Sequence, residues 1–259
     1  FYIVYIINGF VIKPDFGEAT LALIKPTLEL SAPFFLTLIA LIGTTITPWG
    51  QFFIQSYVVD KGLNIKHYKV EKAEVFLGAF ITNIVSFFII ISTAYTLYKT
   101  GVKITDAKDA AMALAPIAGQ FATLLFGFGL FVASMLGAFI LPVATAYAVC
   151  EAFGWEYGFD RKWHEAPTFY GLILFSIIVP AILVLIPGLP LIKVMLLSQD
   201  VNGILLPIIL IFVLKIINNK NIMGEHVNKP IGNIIAWLTV IGIIAATVVL
   251  VISSFFYTF

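Results

Sequence analysis

Long apolar runs separated by short polar stretches dominate the chain. A helix that crosses a bilayer needs about 20 mostly apolar residues. Six stretches meet that length: 33–59, 75–98, 117–149, 169–187, 190–216 and 231–257. Residues 1–12 are equally apolar but too short to span. The runs are continuous rather than alternating with a two-residue period, so they predict helices and not the strands of a membrane barrel. So many runs in one chain also argue against the buried helices of a soluble domain. The expected fold is all-α, a polytopic membrane protein.

Composition narrows the function classes. Of 259 residues, 61% are hydrophobic and 11% charged, with a mean hydropathy of +1.04. A soluble domain is about half apolar and about a quarter charged, and a soluble fold of this length has too much surface to hide the excess. An ordinary cytosolic enzyme and a disordered chain are excluded. A net charge of +1 offers no bulk attraction to nucleic acid. The single cysteine, Cys150, excludes an intrachain disulfide framework and a cysteine metal cluster. Residues 1–12 open on Phe1 and lack the basic region and cleavage site of a signal peptide. They are expected to be the end of a longer segment.

The charges lie between the apolar runs and orient them. Loops 60–74, 150–168 and 217–230, with Lys215 at a span end, carry nine basic residues. Loops 13–32, 99–116 and 188–189 carry five: Lys13, Lys25, Lys99, Lys103 and Lys108. The first set is therefore predicted to be cytoplasmic. His67, His164 and His226 all fall in those loops, so no span holds an imidazole relay.

Polar interruptions within the spans are the candidate chemistry. Residues 43–51 read Gly-Thr-Thr-Ile-Thr-Pro-Trp-Gly-Gln. Pro48 has no N–H for the carbonyl of Thr44 and pushes Thr47 out of α geometry, while Gly43 and Gly50 permit bending. Two half-helices joined by a short unwound stretch are expected. Free carbonyls at that depth must face protein or a polar cavity, and secondary transporters build sites from such breaks. A proline kink satisfied by a neighbouring hydroxyl is the alternative. For Pro142, Pro180 and Pro207 the kink is the preferred reading. The span 190–216 carries Ser198, Gln199, Asp200 and Asn202. A carboxylate in a span costs about 2.5–3.5 kcal/mol on insertion scales, so Asp200 should face a cavity or a partner, and Lys193 lies two turns earlier. Thr82, Asn83 and Ser86 form a further polar stripe, of the kind that glues helices together.

These motifs resemble the Nramp family of divalent metal transporters. Gly43 to Trp49 is similar to the family's sixth-helix pattern Gly-Ala-x-x-Met-Pro-His. Lys13-Pro14-Asp15-Phe16-Gly17-Glu18 resembles its loop between helices five and six. Ser198-Gln199, followed by Pro207, resembles its tenth helix, and Ile222-Met223-Gly224 the segment after it. The resemblance covers essentially the whole chain. It implies the LeuT-type inverted-repeat fold of the APC superfamily, here the second repeat plus an eleventh helix. Residues 1–12 would be the C-terminal end of helix five, 13–32 an extracellular loop and 33–257 helices six to eleven. Helices one to five of the same full-length protein would be partners, together with the lipid bilayer, in the plasma membrane.

The resemblance also implies a divalent metal ion as substrate, with no other cofactor and no enzymatic activity. Thr44 matches the residue whose carbonyl binds metal, Thr47 the metal-binding methionine and Gln199 the tenth-helix glutamine. Asn83, Asp200, Asn202 and Trp49 would be secondary groups along the pathway. Thr47 replaces a soft thioether by oxygen, which suits Mg²⁺ as well as Mn²⁺ and Fe²⁺. A branch of Nramp-related proteins that transports Mg²⁺ also lacks this methionine. Trp49 stands where the family has a histidine, and Ile54 or Gln55 where it has a second, which puts proton symport through those groups in question. The family's first-helix Asp-Pro-Gly-Asn motif does not occur in this chain. A transporter of an organic solute such as an amino acid on the same fold is the alternative, and a non-transporting membrane scaffold the third reading. Enzyme chemistry has no nucleophile–base pair, histidine cluster or phosphate loop behind it.

Overall fold

A computed structural model describes residues 2–25, 27, 29 and 31–257, with side chains for all of these except residues 32 and 250–257. Phe1 of the expected helix-five end, and residues 26, 28 and 30 of the loop after it, lie outside the described residues. Every regular element among the described residues is helical. Six segments are long and apolar enough to cross a membrane: Pro33–Asp60, Ile65–Tyr98, Ala107–Phe153, Pro167–Val184, Leu191–Ile217 and Pro230–Val249. They coincide in order and place with the six predicted runs, and the chain is a multi-pass integral membrane protein.

The chain divides into two compact units, 1–27 with 56–186 and 28–55 with 187–259. In the first unit, α1 (Ile3–Val11) packs on α5 (Tyr68–Thr93). Gly9 permits the contact, because a Cβ there would overlap the edge of the Phe88 ring at Cδ1. Phe88 belongs to the core with Tyr5, Leu114 and Ala122. Phe16 packs against it, and the exposed Phe10 lies on the outside of the pair, with ring centroids 5.3–6.5 Å apart. Asn8 is fully buried and donates from Nδ2 to the Ala113 carbonyl at 2.8 Å. Asn8→Ala should lower stability by about 1–2 kcal/mol, because it strands that carbonyl away from water; thermal unfolding in detergent measures it.

The stretch predicted as an extracellular loop contains a helix of its own, α2 (Phe16–Ile24). Asp15 caps it by accepting from the Glu18 N–H at 2.9 Å. Tyr95 fixes its start: the Tyr95 hydroxyl accepts from the Asp15 N–H at 3.0 Å and donates to Glu18 at 3.2 Å. Tyr95 lies in a π-helical turn, Ala94–Tyr98, that ends α5. Glycine is not needed where α1 ends, since Lys13 itself takes a positive φ of 50°.

Within the third span the continuous helix begins after a series of short turns. Short helical turns fill 107–121, including α6 (Ala107–Ala111) and α7 (Ala115–Ala118), and the continuous helix α8 runs from Ala122 to Phe153. Helix α9 (Pro167–Val184) packs against it. In the second unit, α3 (Ala32–Thr45) packs against both α10 (Leu191–Ile217) and α12 (Pro230–Tyr257), with α11 (Lys220–Met223) between the last two. Asn218, Asn228 and Asn233 join the end of α10 to the start of α12 through amide hydrogen bonds of 2.6–2.9 Å. Helices α8, α9 and α10 continue through Pro142, Pro180 and Pro207, so none of these prolines breaks its span. The division between the two units falls inside α4 (Pro48–Asp60), after Gln55.

Candidate functional site

The span 33–59 is interrupted where Pro48 demands it. Helix α3 stops at Thr45 and α4 starts at Pro48, leaving Ile46 and Thr47 non-helical. The last bond of the α3 ladder runs from the Ile46 N–H to the Ile42 carbonyl at 2.9 Å. The carbonyls of Gly43, Thr44 and Thr45 lie beyond that ladder, and for Thr44 the cause is the N–H that Pro48 lacks. The hydroxyls of Thr44 and Thr45 turn back and both donate to the Leu41 carbonyl at 2.8 Å, so the Thr44 side chain is engaged, while its carbonyl has no hydrogen-bond donor among the described residues. Thr47 is half-buried and holds its hydroxyl over the first turn of α4, 3.5 Å from where a Cβ on Gly50 would lie. Trp49 is half-buried in that first turn.

Gly43 has a part beyond the backbone freedom expected of it. Neither Gly43 nor Gly50 has a positive φ; both sit in helix. Gly43 is a point of close approach to α10. A Cβ on it would overlap the Gln199 carbonyl and stand 2.7 Å from the Gly203 nitrogen. A Cβ on Gly203 would stand 2.5 Å from the Ile39 carbonyl oxygen. The two helices therefore meet backbone to backbone, one residue before Thr44 on α3 and beside Gln199 on α10. This brings the two polar clusters of the sequence, 43–49 and 198–202, into one neighbourhood.

On α10 the amides are linked. Asn202 donates to Gln199 Oε1 at 3.1 Å, and Ser198 donates to the Met195 carbonyl at 2.7 Å. Asp200 Oδ1 is buried and has no hydrogen-bond partner among the described residues. The ion pair with Lys193 that the spacing allows is not formed there; the ion pair found among the described residues is Arg161–Glu156, at 3.5 Å on the surface. Asn83 belongs to the first unit, where its amide donates to the Ala79 carbonyl of its own helix at 2.8 Å. No group of three or more His, Cys, Asp or Glu residues that could hold a metal ion occurs among the described residues. What α3, α10 and the break offer is neutral oxygen: carbonyls, a hydroxyl and amides, with one carboxylate beside them.

A second polar cluster escaped the sequence reading. Ser56 on α4 donates to Glu151 Oε1 on α8 at 2.8 Å, and Tyr147 on α8 donates to the Asp60 carboxylate on α4. Ser56, Tyr147 and Cys150 are buried. The ring of Tyr147 packs edge-on against Phe169, centroids 5.0 Å apart, and against Tyr157 at 5.4 Å. In the loop after α8, partial burial and the facing Glu151 carboxylate push the Tyr157 phenol above its ordinary value. The signal available in the sequence was the pairing of Ser56 with Asp60 and of Tyr147 with Glu151, each four residues apart on a helix.

Six apolar spans, one of them interrupted at a proline, define a multi-pass membrane protein. The family model described as natural resistance-associated macrophage protein-like (Nramp) matches residues 1–253, and the chain belongs to that family. It is similar to the divalent metal cation transporter MntH of Clostridium acetobutylicum, 22% identical over 98% of this chain and 57% of the relative. It is also similar to the MntH proteins of Caldanaerobacter subterraneus subsp. tengcongensis, 23% identical over 96% and 56% respectively, and of Bacillus subtilis, 23% over 98% and 58%. The chain thus spans little more than half the length of the curated relatives it matches. These relatives bear the names of transporters, not of enzymes.

Proposed function

We propose that the chain forms the second inverted repeat and the eleventh helix of a divalent metal cation transporter that works by alternating access in the plasma membrane. On this reading 1–12 is the end of helix five, 13–32 the extracellular loop and 33–257 helices six to eleven, with helices one to five supplying the other half of a LeuT-type fold. The substrate ion takes the Thr44 carbonyl, a Thr47 oxygen and the Gln199 amide oxygen. Trp49, Asn83, Asp200 and Asn202 are secondary groups of the pathway.

The observation that carries the reading is the two-residue break at Ile46–Thr47, whose preceding carbonyls lie outside the helical ladder while Gly43 rests on the Gln199 carbonyl. Unpaired carbonyls in a span are costly unless they serve a cavity or an ion. An all-oxygen set of this kind accommodates Mg²⁺ and Mn²⁺ without requiring a soft ligand.

The test is uptake by proteoliposomes of the full-length protein that contains this chain, with Mn²⁺, Fe²⁺, Mg²⁺ and Ca²⁺ each offered in turn. Saturable uptake of at least one of these ions is expected, with internal pH recorded in parallel to reveal any coupled proton. Uptake of an amino acid with none of the four ions transported would overturn the reading.

A further inference from the structure

The contacts between α4 and α8 are reciprocal. Ser56 and Asp60 lie one turn apart on α4, and Tyr147 and Glu151 one turn apart on α8. Each helix gives one hydroxyl donor and receives through one carboxylate: Ser56 to Glu151, Tyr147 to Asp60. The pairing Ser56–Glu151 and Asp60–Tyr147 sets the two helices antiparallel across two rungs. Hydrogen bonds from a hydroxyl to a carboxylate are among the stronger ones, and the Tyr147 ring is held in place by Phe169, Phe159 and Tyr157, while Asp60 stands at the exposed rim. They sit where α4 ends and loop 60–74 begins, on the face the basic residues mark as cytoplasmic. Nothing in ion binding at Thr44–Gln199 uses these four side chains.

We propose that Ser56, Asp60, Tyr147 and Glu151 form a cytoplasmic latch. They are positioning residues that hold the last turn of the half-helix α4 on α8, and their bonds part when the pathway opens to that side. The proposal rests on the transport reading, because a fixed brace would need no release. The two bonds are suited to release: hydroxyl and carboxylate groups are resolvated when water enters, whereas parted apolar surfaces are not.

Cys150 is a built-in reporter. It is fully buried on the same turn of α8, between Tyr147 and Glu151. Membrane vesicles of the full-length protein are treated with N-ethylmaleimide, and labelling of Cys150 is followed by peptide mass spectrometry. Ser56→Ala and Tyr147→Phe should each speed labelling about tenfold, the loss of one charge-assisted bond. Ser56→Thr, which keeps the hydroxyl, should label like the wild type. Mn²⁺ or Mg²⁺ on the outside should change the wild-type rate and leave the Tyr147→Phe rate unchanged. If Tyr147→Phe fails to fold, Ser56→Ala, which removes a single oxygen, keeps the test.

Unaltered labelling in both variants overturns the latch, whatever the uptake. Fast labelling of the variants beside a wild type that ignores both ions overturns it in favour of a fixed brace. A wild type whose labelling responds to the ion but whose vesicles take up none supports the latch and counts against the transport reading alone.

Discussion

Gly43→Ala should remove most of the uptake and lower the melting temperature of the purified protein. The three atoms nearest the added methyl are all backbone: the Gln199 carbonyl oxygen and the nitrogen and Cα of Gly203, the last at 3.2 Å. A side chain could turn aside, but these atoms move only if the two helices part. Overpacking typically costs about 1–3 kcal/mol, more than the ~1 kcal/mol that replacing a helical glycine by alanine returns. Gly203→Ala should behave the same way, since its methyl meets the Ile39 carbonyl. Gly242→Ala on α12 is the control. A Cβ there finds nothing within 4 Å, so the melting temperature should hold or rise. Equal melting temperatures for Gly43→Ala and Gly242→Ala would refute the close contact.

Thr47→Met should redirect substrate preference. A thioether at this position adds a soft ligand that Mn²⁺ and Fe²⁺ accept and Mg²⁺ does not. Competition uptake, Mn²⁺ against Mg²⁺, should shift by about tenfold toward Mn²⁺, the scale on which ligand-shell changes move metal affinity. Thr47→Ser, which keeps an oxygen, should leave the preference near that of the wild type. An unchanged ratio in Thr47→Met would remove Thr47 from the set of groups that choose the ion.

The break at Pro48 was legible because its cause is local. A missing N–H and a restricted preceding residue act within one turn, wherever the rest of the chain goes. The six spans were legible for a similar reason, their length and composition being matched to the bilayer. The helix α2 was hidden in a stretch read as loop, although Asp15 followed by Glu18 three residues on is a cap pattern. Its anchor, Tyr95, lies 80 residues from Asp15, and no local pattern announces it. The partners of Gly43 and Ser56 were hidden too. A glycine in a helix reads as flexibility until the facing backbone is known, and Ser56 meets Glu151 only across 95 residues. The Nramp resemblance held no account of these two contacts.

The interruption between α3 and α4 is two residues long, so four backbone torsions separate the two half-helices. They are not equally free. Both residues are β-branched and stiff, and Thr47 also precedes proline, which confines it to extended conformations. Ile46, at φ −119° and ψ 82°, carries most of what freedom is left. The junction therefore acts less as a loose tether than as a stiff elbow, whose angle is set mainly by the two torsions of Ile46.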